Sequence, residues 1–576
     1  MEHARKGHSH NRYGDVSHEK SQGATYTPDV LANFVAKEIV GSVDCKALPS
    51  PLRVLDPAVG DGQLLMSLVG QLCKVGDLAI EVYGFEMDSR ALETAERRLK
   101  RAFGNLSVRF KVANFLDFVL DQDLTLFAPE TTIEYDLVIA NPPYVRTQIL
   151  GAGKARNLAK QFGLSGRVDL YFPFVLAIVQ VLKPTGIAGI IVSNRFMTTK
   201  AGAPLRKAIR EVSTIRHIWD LGDTKLFDAA VLPAVLLLEG RTGDHAHKPH
   251  FTTIYETTSP PLDRAANPIA ALAKQGVVEV DDGRRFEVLN GILEPTSSSD
   301  AVWRISTREG DAWLATVRRN TWGSFRDIGK IRVGVKTCAD QVFIRSDWQH
   351  MPENERPELL RPVVTHHIAR RFRSVESERP RQILYPHESI NATRRTVDLA
   401  KYPRAKAYLE RYREVLEQRR YVTEAGREWY EIWVPQDPSA WDLPKLVFRD
   451  IAEKPTFWVD LTSAVVNGDC YWLLSESPRD TDLLWLAAAV GNSTFIEKFY
   501  DNRFQNKLYA GRRRFMTQYV EKFPLPDPES RIGRTIIDTA KEVYESVECG
   551  STSGLEERLD TLVWQSFGLV LEEVRR

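Results

Sequence analysis

Short apolar runs alternate with longer amphipathic stretches from Ala24 to Gly240. "LRVLDP", "EVYGFEMD", "YDLVIANPP", "GIAGIIVSN", "IRHIWDLG" and "AVLPAVLLLEG" read as β-strands. "VLANFVAKEIV", "QLLMSLVGQLC", "ALETAERRLKRAF" and "DLYFPFVLAIVQVLK" read as helices. Such alternation predicts an α/β fold, a doubly wound Rossmann-like parallel sheet with helices on both faces. "RTGDHAHKPH" then breaks the pattern with Gly, Pro and charge, which places a domain boundary near residue 245. Beyond it the strands shorten and aromatics and Arg clusters increase, as in a mixed α+β region. "EPTSSSD" reads as a loop within that region. The end of the chain reads as two amphipathic helices separated by "GSTSG". The expected division is a disordered polar tail over 1–23, a catalytic domain over 24–244, a second region over 245–528 and a helical segment over 529–576. No internal repeat of fixed period is visible.

Length and charge change this picture little. The chain of 576 residues can form several cores, and 77 Lys+Arg against 76 Asp+Glu leave any basic surface local. Five scattered cysteines without a C-x-x-C pair predict neither a disulfide framework nor a zinc site, and no metal is expected. No apolar run reaches membrane-spanning length and the start lacks a signal-peptide core. A cytoplasmic, monomeric protein is the expectation.

The candidate chemistry lies at strand ends, where open α/β sheets bind ligands. "VLDPAVGDGQLLMSL" sets Gly60-Asp61-Gly62 between a strand and a helix. A glycine turn there lets backbone approach a ligand over a helix N-terminus. No Gly-Lys-Ser/Thr follows, so it is not a phosphate loop of the Walker type. The next strand ends in Glu86, the usual position for an acid that holds ribose hydroxyls. Asp117 in "ANFLDF" adds a further acid, and a helix-start or turn role would account for it equally well. Together these describe a nucleoside site without a pyrophosphate clamp. After the strand Leu137 to Ala140 comes Asn141-Pro142-Pro143-Tyr144. The prolines stop the strand and fix a rigid turn that presents an amide and a phenol.

The ordered set "ATYTPDVLANFVAK", "DPAVGDG", "GFEMD", "NFLDF" and "NPPY" resembles the gamma-class N6-adenine DNA methyltransferases of type II restriction–modification systems. The resemblance is detailed over about residues 24–240 and looser beyond. "VDLYFPFVLAIVQVLKPTGIAGIIVSN" and "LFDAAVLPAVLLLE" extend it. It implies S-adenosylmethionine as methyl donor. It places Thr27 near the donor's methionine end and Asp56, Pro57, Ala58, Gly60 and Gly62 around its amino-acid part. Glu86 would hold the ribose, Met87 pack on the adenine and Asp117 bind its amino group, with Asn141 bordering the donor as well. Asn141 and Pro142 would accept hydrogen bonds from the target amine. Tyr144 and Phe227 would sandwich a base flipped out of duplex DNA. An ordinary core role for Phe227 is the alternative.

The second half reads as a DNA-recognition region. Arg361–Arg420 is rich in base, including Arg370, Arg371, Arg373, Arg394 and Arg395. "DNRFQNKLYAGRRRFMTQYVEK" interleaves Arg503, Lys507, Arg512, Arg513 and Arg514 with Phe504, Tyr509, Phe515 and Tyr519, a mixture suited to phosphate contact and stacking. Asn502, Gln505 and Asn506 could read adenine edges. A stand-alone methyltransferase paired with a separate restriction endonuclease is expected, because only a short tail precedes the first motif. A protein-glutamine or RNA methyltransferase, or a non-catalytic DNA specificity subunit, are the competing readings.

Overall fold

The computed structural model describes residues 27–571, apart from 105, 125–133, 145–151, 165–168, 228–231, 242–247, 295–300, 376, 392, 476–480, 505–507, 509–511 and 548–551. The expected N-terminal tail and Lys507, Gln505, Asn506 and Tyr509 lie outside the described residues. Two compact units are present, Met1–Thr307 with Leu508–Gly511, and Arg308–Lys507 with Arg512–Arg576.

The first unit is built on one twelve-stranded sheet. Its strands are β1 (Leu52–Asp56), β2 (Ile80–Glu86), β3 (Ser107–Val112), β4 (Tyr135–Ala140), β5 (Leu182–Ser193), β6 (Thr214–Asp220), β7 (Pro233–Glu239), β8 (His250–Glu256), β9 (Asp263–Ala265), β10 (Gly276–Val280), β11 (Arg285–Leu293) and β12 (Ile305–Ser306). The order is β3-β2-β1-β4-β5-β7-β6-β8-β11-β10-β9, with β12 on β11. β1 pairs in parallel with both β2 and β4, so the strand order reverses between β1 and β4. That is the switch point at which doubly wound sheets open a ligand crevice. β4 and β7 are buried along their whole length, as continuous apolar runs require when helices cover both faces. Alternate residues split into two cores: Val138, Ala140 and Ile190 face one, and Leu137, Ile139 and Ile187 the other.

The boundary expected near 245 falls instead at Thr307 and Arg308. Polar residues break the sequence pattern there, but β8 re-enters the sheet parallel to β6 and pairs antiparallel with β11. A break in hydrophobic periodicity marks a loop, and only strand pairing shows that the same sheet continues.

The second unit contains two four-stranded sheets and a helical layer. One sheet orders Arg332–Val333, Cys470–Leu473, Lys445–Arg449 and Phe457–Asp460, and the other Ile344–Arg345, Gln382–Leu384, Leu360–Val364 and Val465–Val466. The two terminal helices form as expected, Arg531–Ser546 and Ser553–Ser566. They are not a separate segment: Ile536, Ile537, Val543, Val563 and Trp564 join Phe325, Phe457 and Phe495 in one core. No helix among the described residues is long and apolar enough to cross a membrane.

Candidate active site

The carboxyl edge of β1, β2 and β4 gathers the sequence-predicted residues. Asp56 ends β1 fully buried, and its Oδ1 accepts the Ala58 N–H at 2.9 Å. Its Oδ2 is buried with no hydrogen-bond partner. Burial pushes the carboxyl up to about 7; the Ala58 N–H opposes this, and the charges of Glu86 and Asp61 add to it. Pro57 is buried as well. Gly60 and Gly62 adopt φ of +53° and +83°, which L side chains rarely take. At Gly62 a Cβ would also meet the Ala95 Cβ at 2.8 Å, while the space around Gly60 is open. The turn is pinned by Asp61, which pairs with Arg98 at 2.7 Å, and opens the helix Gln63–Leu72.

Glu86 connects the turn to the neighbouring strand. Its Oε2 accepts the Gly60 N–H at 3.0 Å, and its Oε1 accepts those of Met87 at 2.7 Å and Asp88 at 3.0 Å. Met87 stands 66% exposed beside it, an apolar side chain left in water at the sheet edge. Asp117 departs from its expected place. The helix Phe115–Leu124 begins before it, so Asp117 lies exposed in the first turn. Asn114 occupies the tip after β3, where its Oδ1 accepts the Leu116 N–H at 2.9 Å. The acid is conspicuous in sequence, but the helix start decides which polar residue remains at the edge.

At the tip of β4, Asn141 Nδ2 donates to Thr27 Oγ1 at 3.0 Å across 114 positions of sequence. The Tyr-Thr-Pro and Asn-Pro-Pro-Tyr motifs therefore meet. Pro142 is buried, and the Tyr144 ring lies 6.1 Å from Tyr171, with its buried hydroxyl pushed far above the usual phenol range by burial. Phe227 is 8% exposed and packs in the opposite core from the one Tyr144 leans on.

A buried polar network at the same edge escaped the sequence reading. Asp220, ending β6, accepts from Tyr255 Oη at 2.7 Å, Asn194 Nδ2 at 2.9 Å and the Gly222 N–H at 3.1 Å. Burial raises its carboxyl to about 6 despite those donors. Asp223 accepts the Glu256 N–H at 2.8 Å and Arg284 donates to the Thr224 carbonyl at 3.0 Å. The segment leading to Phe227 is thus fastened to the end of β8 and to Arg284, just before β11. The available signal was a polar residue closing each apolar run, Asn194 after β5 and Asp220 at the end of β6.

The expected DNA contacts near residue 512 are corrected in part. Arg513 forms a two-point pair with Asp501 at 2.8 Å, approaches Glu497 at 3.4 Å and donates to the Glu453 carbonyl, with a side chain only 12% exposed. Arg514 pairs with Asp450 at 3.2 Å through two nitrogens. Both are spent on carboxylates distant in sequence. Arg512 is exposed, and Arg503 is half-buried at the end of the helix Thr494–Phe504. Phe504, Phe515 and Tyr519 are core residues. Arg513→Ala is therefore expected to destabilise the second unit by about 1–3 kcal/mol, since it leaves two half-buried carboxylates without their partner. Its DNA binding per folded molecule should keep the wild-type salt dependence. Denaturant titration beside binding isotherms checks both; an intact stability with a shallower salt slope would return Arg513 to the interface.

A family model described as Eco57I restriction-modification methylase matches residues 81–227. Type II methyltransferase M.BanIII of Aneurinibacillus aneurinilyticus is 36% identical over 96% of this chain and 98% of its own length. The chain belongs to the type II DNA methyltransferases. M.XhoI of Xanthomonas vasicola is 26% identical over 95% of the chain and 97% of its own length. A cryo-EM structure of DrdV with DNA superposes with a TM-score of 0.49 and 12% identity, covering 91% of this chain and 57% of that one. As a member of this family, the chain is an S-adenosylmethionine-dependent DNA methyltransferase of a restriction–modification system. Its residues fit the donor. The buried, unpartnered Asp56 Oδ2 suits an ammonium group, the open space at Gly60 admits a chain against backbone, and Glu86 and Met87 offer acceptors and an apolar face for a nucleoside.

Proposed function

We propose that this methyltransferase acts on N6 of an adenine flipped out of duplex DNA, protecting sites that a separate restriction endonuclease cuts. The observation that carries this reading is the placement of Asn141-Pro142-Pro143-Tyr144 beside the donor residues, with the Asn141 amide fixed by Thr27 at 3.0 Å. An exocyclic adenine amine is a weak nucleophile because its lone pair is delocalised into the ring. Asn141 Oδ1 and the Pro142 carbonyl accept its two hydrogens and favour a tetrahedral nitrogen, whose lone pair then points toward the donor. The prolines hold both acceptors before the base arrives, so no reorganisation is paid during reaction. Tyr144 supplies a ring face for the base, while Phe227 is packed in the opposite core. S-adenosylmethionine supplies an electrophilic methyl group on a sulfonium. Asp56 and Glu86 hold the amino-acid and ribose parts.

Incubation of the protein with labelled S-adenosylmethionine and unmethylated plasmid DNA, RNA or protein tests this directly. Nucleoside analysis is expected to find the label in N6-methyladenine from DNA. Label confined to cytosine, RNA or protein would refute the proposal.

A further inference from the structure

With Arg513 and Arg514 committed to carboxylates, other basic groups of the second unit are candidates to meet the negative DNA backbone. One edge of its two sheets gathers several basic groups. Asn467 N donates to the Val364 carbonyl at 2.9 Å and Val363 N to the Arg381 carbonyl at 3.2 Å, so the end of Leu360–Val364 lies between Arg381 and the turn that precedes Cys470. Arg449 stands opposite Cys470 in strand register. His366 Nδ1 bonds Asp469 Oδ2 in the same turn, and the His366 and His367 rings lie 3.9 Å apart. Residues 366, 367, 381 and 449, remote in sequence, thus share one edge.

Their bonding is incomplete. The Arg381 guanidinium is exposed and has no hydrogen bond or ion pair with any described residue. Arg449 is half-buried with its Nε wholly covered and unpartnered, and Asp469 Oδ1 is likewise covered. The charge of His366, then partial burial and the charge of Arg381, holds the His367 imidazole below its ordinary value; Arg449 adds to this, and Asp469 alone opposes it. Beside the cluster opens a cavity of about 410 Å³, lined by Arg345 and Arg381, by Asp340 and Asp347, and by Gln341 and Asn467. Crowded cations cost stability, and Asp469, bonded to His366, offsets only part of their charge. Binding of an anion at the exposed part of the cluster would relieve that repulsion.

We infer that this edge docks the DNA backbone, with Arg381 and Arg449 holding a phosphate. The inference rests on the reading of the chain as an enzyme of duplex DNA and deepens it by placing the contact. Phosphate contact is independent of base sequence, so a fluorescent 30-base-pair duplex of random sequence serves as the probe. For the full-length protein, Arg381→Ala/Arg449→Ala is expected to reduce the slope of log affinity against log salt by about 1.8, at 0.9 per lost contact. Arg381→Lys/Arg449→Lys should keep most of the slope, because a lysine remains a phosphate-binding cation. Calorimetric affinity for S-adenosylmethionine should be unchanged in both variants and reports an intact first unit. An unchanged slope in the alanine variant overturns the inference. So does an equal loss in the lysine variant, which would mark a structural role. Loss of slope only in Arg394→Ala/Arg395→Ala, on the hairpin His387–Thr396, would move the contact there. If the wild type gives no N6-methyladenine while the salt slopes behave as described, the function reading fails and this docking edge stands.

Discussion

Asn141→Ala is expected to lower kcat by at least about 10²-fold, the scale measured when one preorganised polar group is removed from a reacting centre. Donor affinity should change far less. The reason lies in how the amide is held. Its nitrogen donates to Thr27 at 3.0 Å, which orients the amide for its oxygen to serve as acceptor to the target amine. Alanine removes that acceptor and leaves the Asp56, Gly60 and Glu86 group untouched. Thr27→Val should give a smaller loss in kcat of the same kind, since the amide survives but loses its tether. Single-turnover methylation and donor calorimetry separate the two effects. A large loss of donor affinity with an intact chemical step would reverse the assignment.

Asp56→Asn is expected to have the largest effect on the donor side and an opposite effect on the free protein. The wild-type carboxyl is raised to about 7 in the folded chain, chiefly by burial, against about 3.9 when unfolded. The folded state therefore holds the proton more tightly. Ionisation of Asp56 removes stability as pH rises from about 4 to about 7, on the order of 4 kcal/mol at 1.36 kcal/mol per unit. Asparagine keeps an acceptor for the Ala58 N–H and never ionises. Without donor, the variant should melt above wild type at pH 8, and the gap should shrink toward pH 5, where the wild-type carboxyl is neutral. The donor needs the ionised form, because Asp56 is to face an ammonium group. Wild-type donor affinity should accordingly fall about tenfold per unit of pH below 6, and the variant should bind weakly at every pH. Calorimetry in buffers of different ionisation heat would also show proton release on binding near pH 7. Flat wild-type affinity between pH 5 and 7 would remove Asp56 from the donor site.

The local motifs were legible because each carries its own physics. A buried strand followed by Pro-Pro announces a rigid edge turn, and Gly-Asp-Gly between strand and helix announces a turn with positive φ. Glu86 was found because an acid closes an apolar strand, and the two terminal helices because their apolar positions repeat at helical spacing. These signals span a few residues and survive without knowledge of the rest of the chain.

Pairing between distant segments was not legible. The sequence by itself determined the doubly wound order of elements, the glycine turn and the Asn-Pro-Pro-Tyr edge, since periodicity and turn chemistry are local properties. Only the tertiary structure decided that β8 to β12 extend the first sheet, because a polar loop looks the same whether the chain leaves a sheet or returns to it. It also decided that Asn114 rather than Asp117 keeps the strand edge, that Asp220 draws in Asn194 and Tyr255, and that Arg513 is consumed by Asp501 and Glu497 while Arg381 and Arg449 form no ion pair among the described residues. An arginine's role depends on which carboxylates the fold brings within reach, and composition along the chain does not contain that distance.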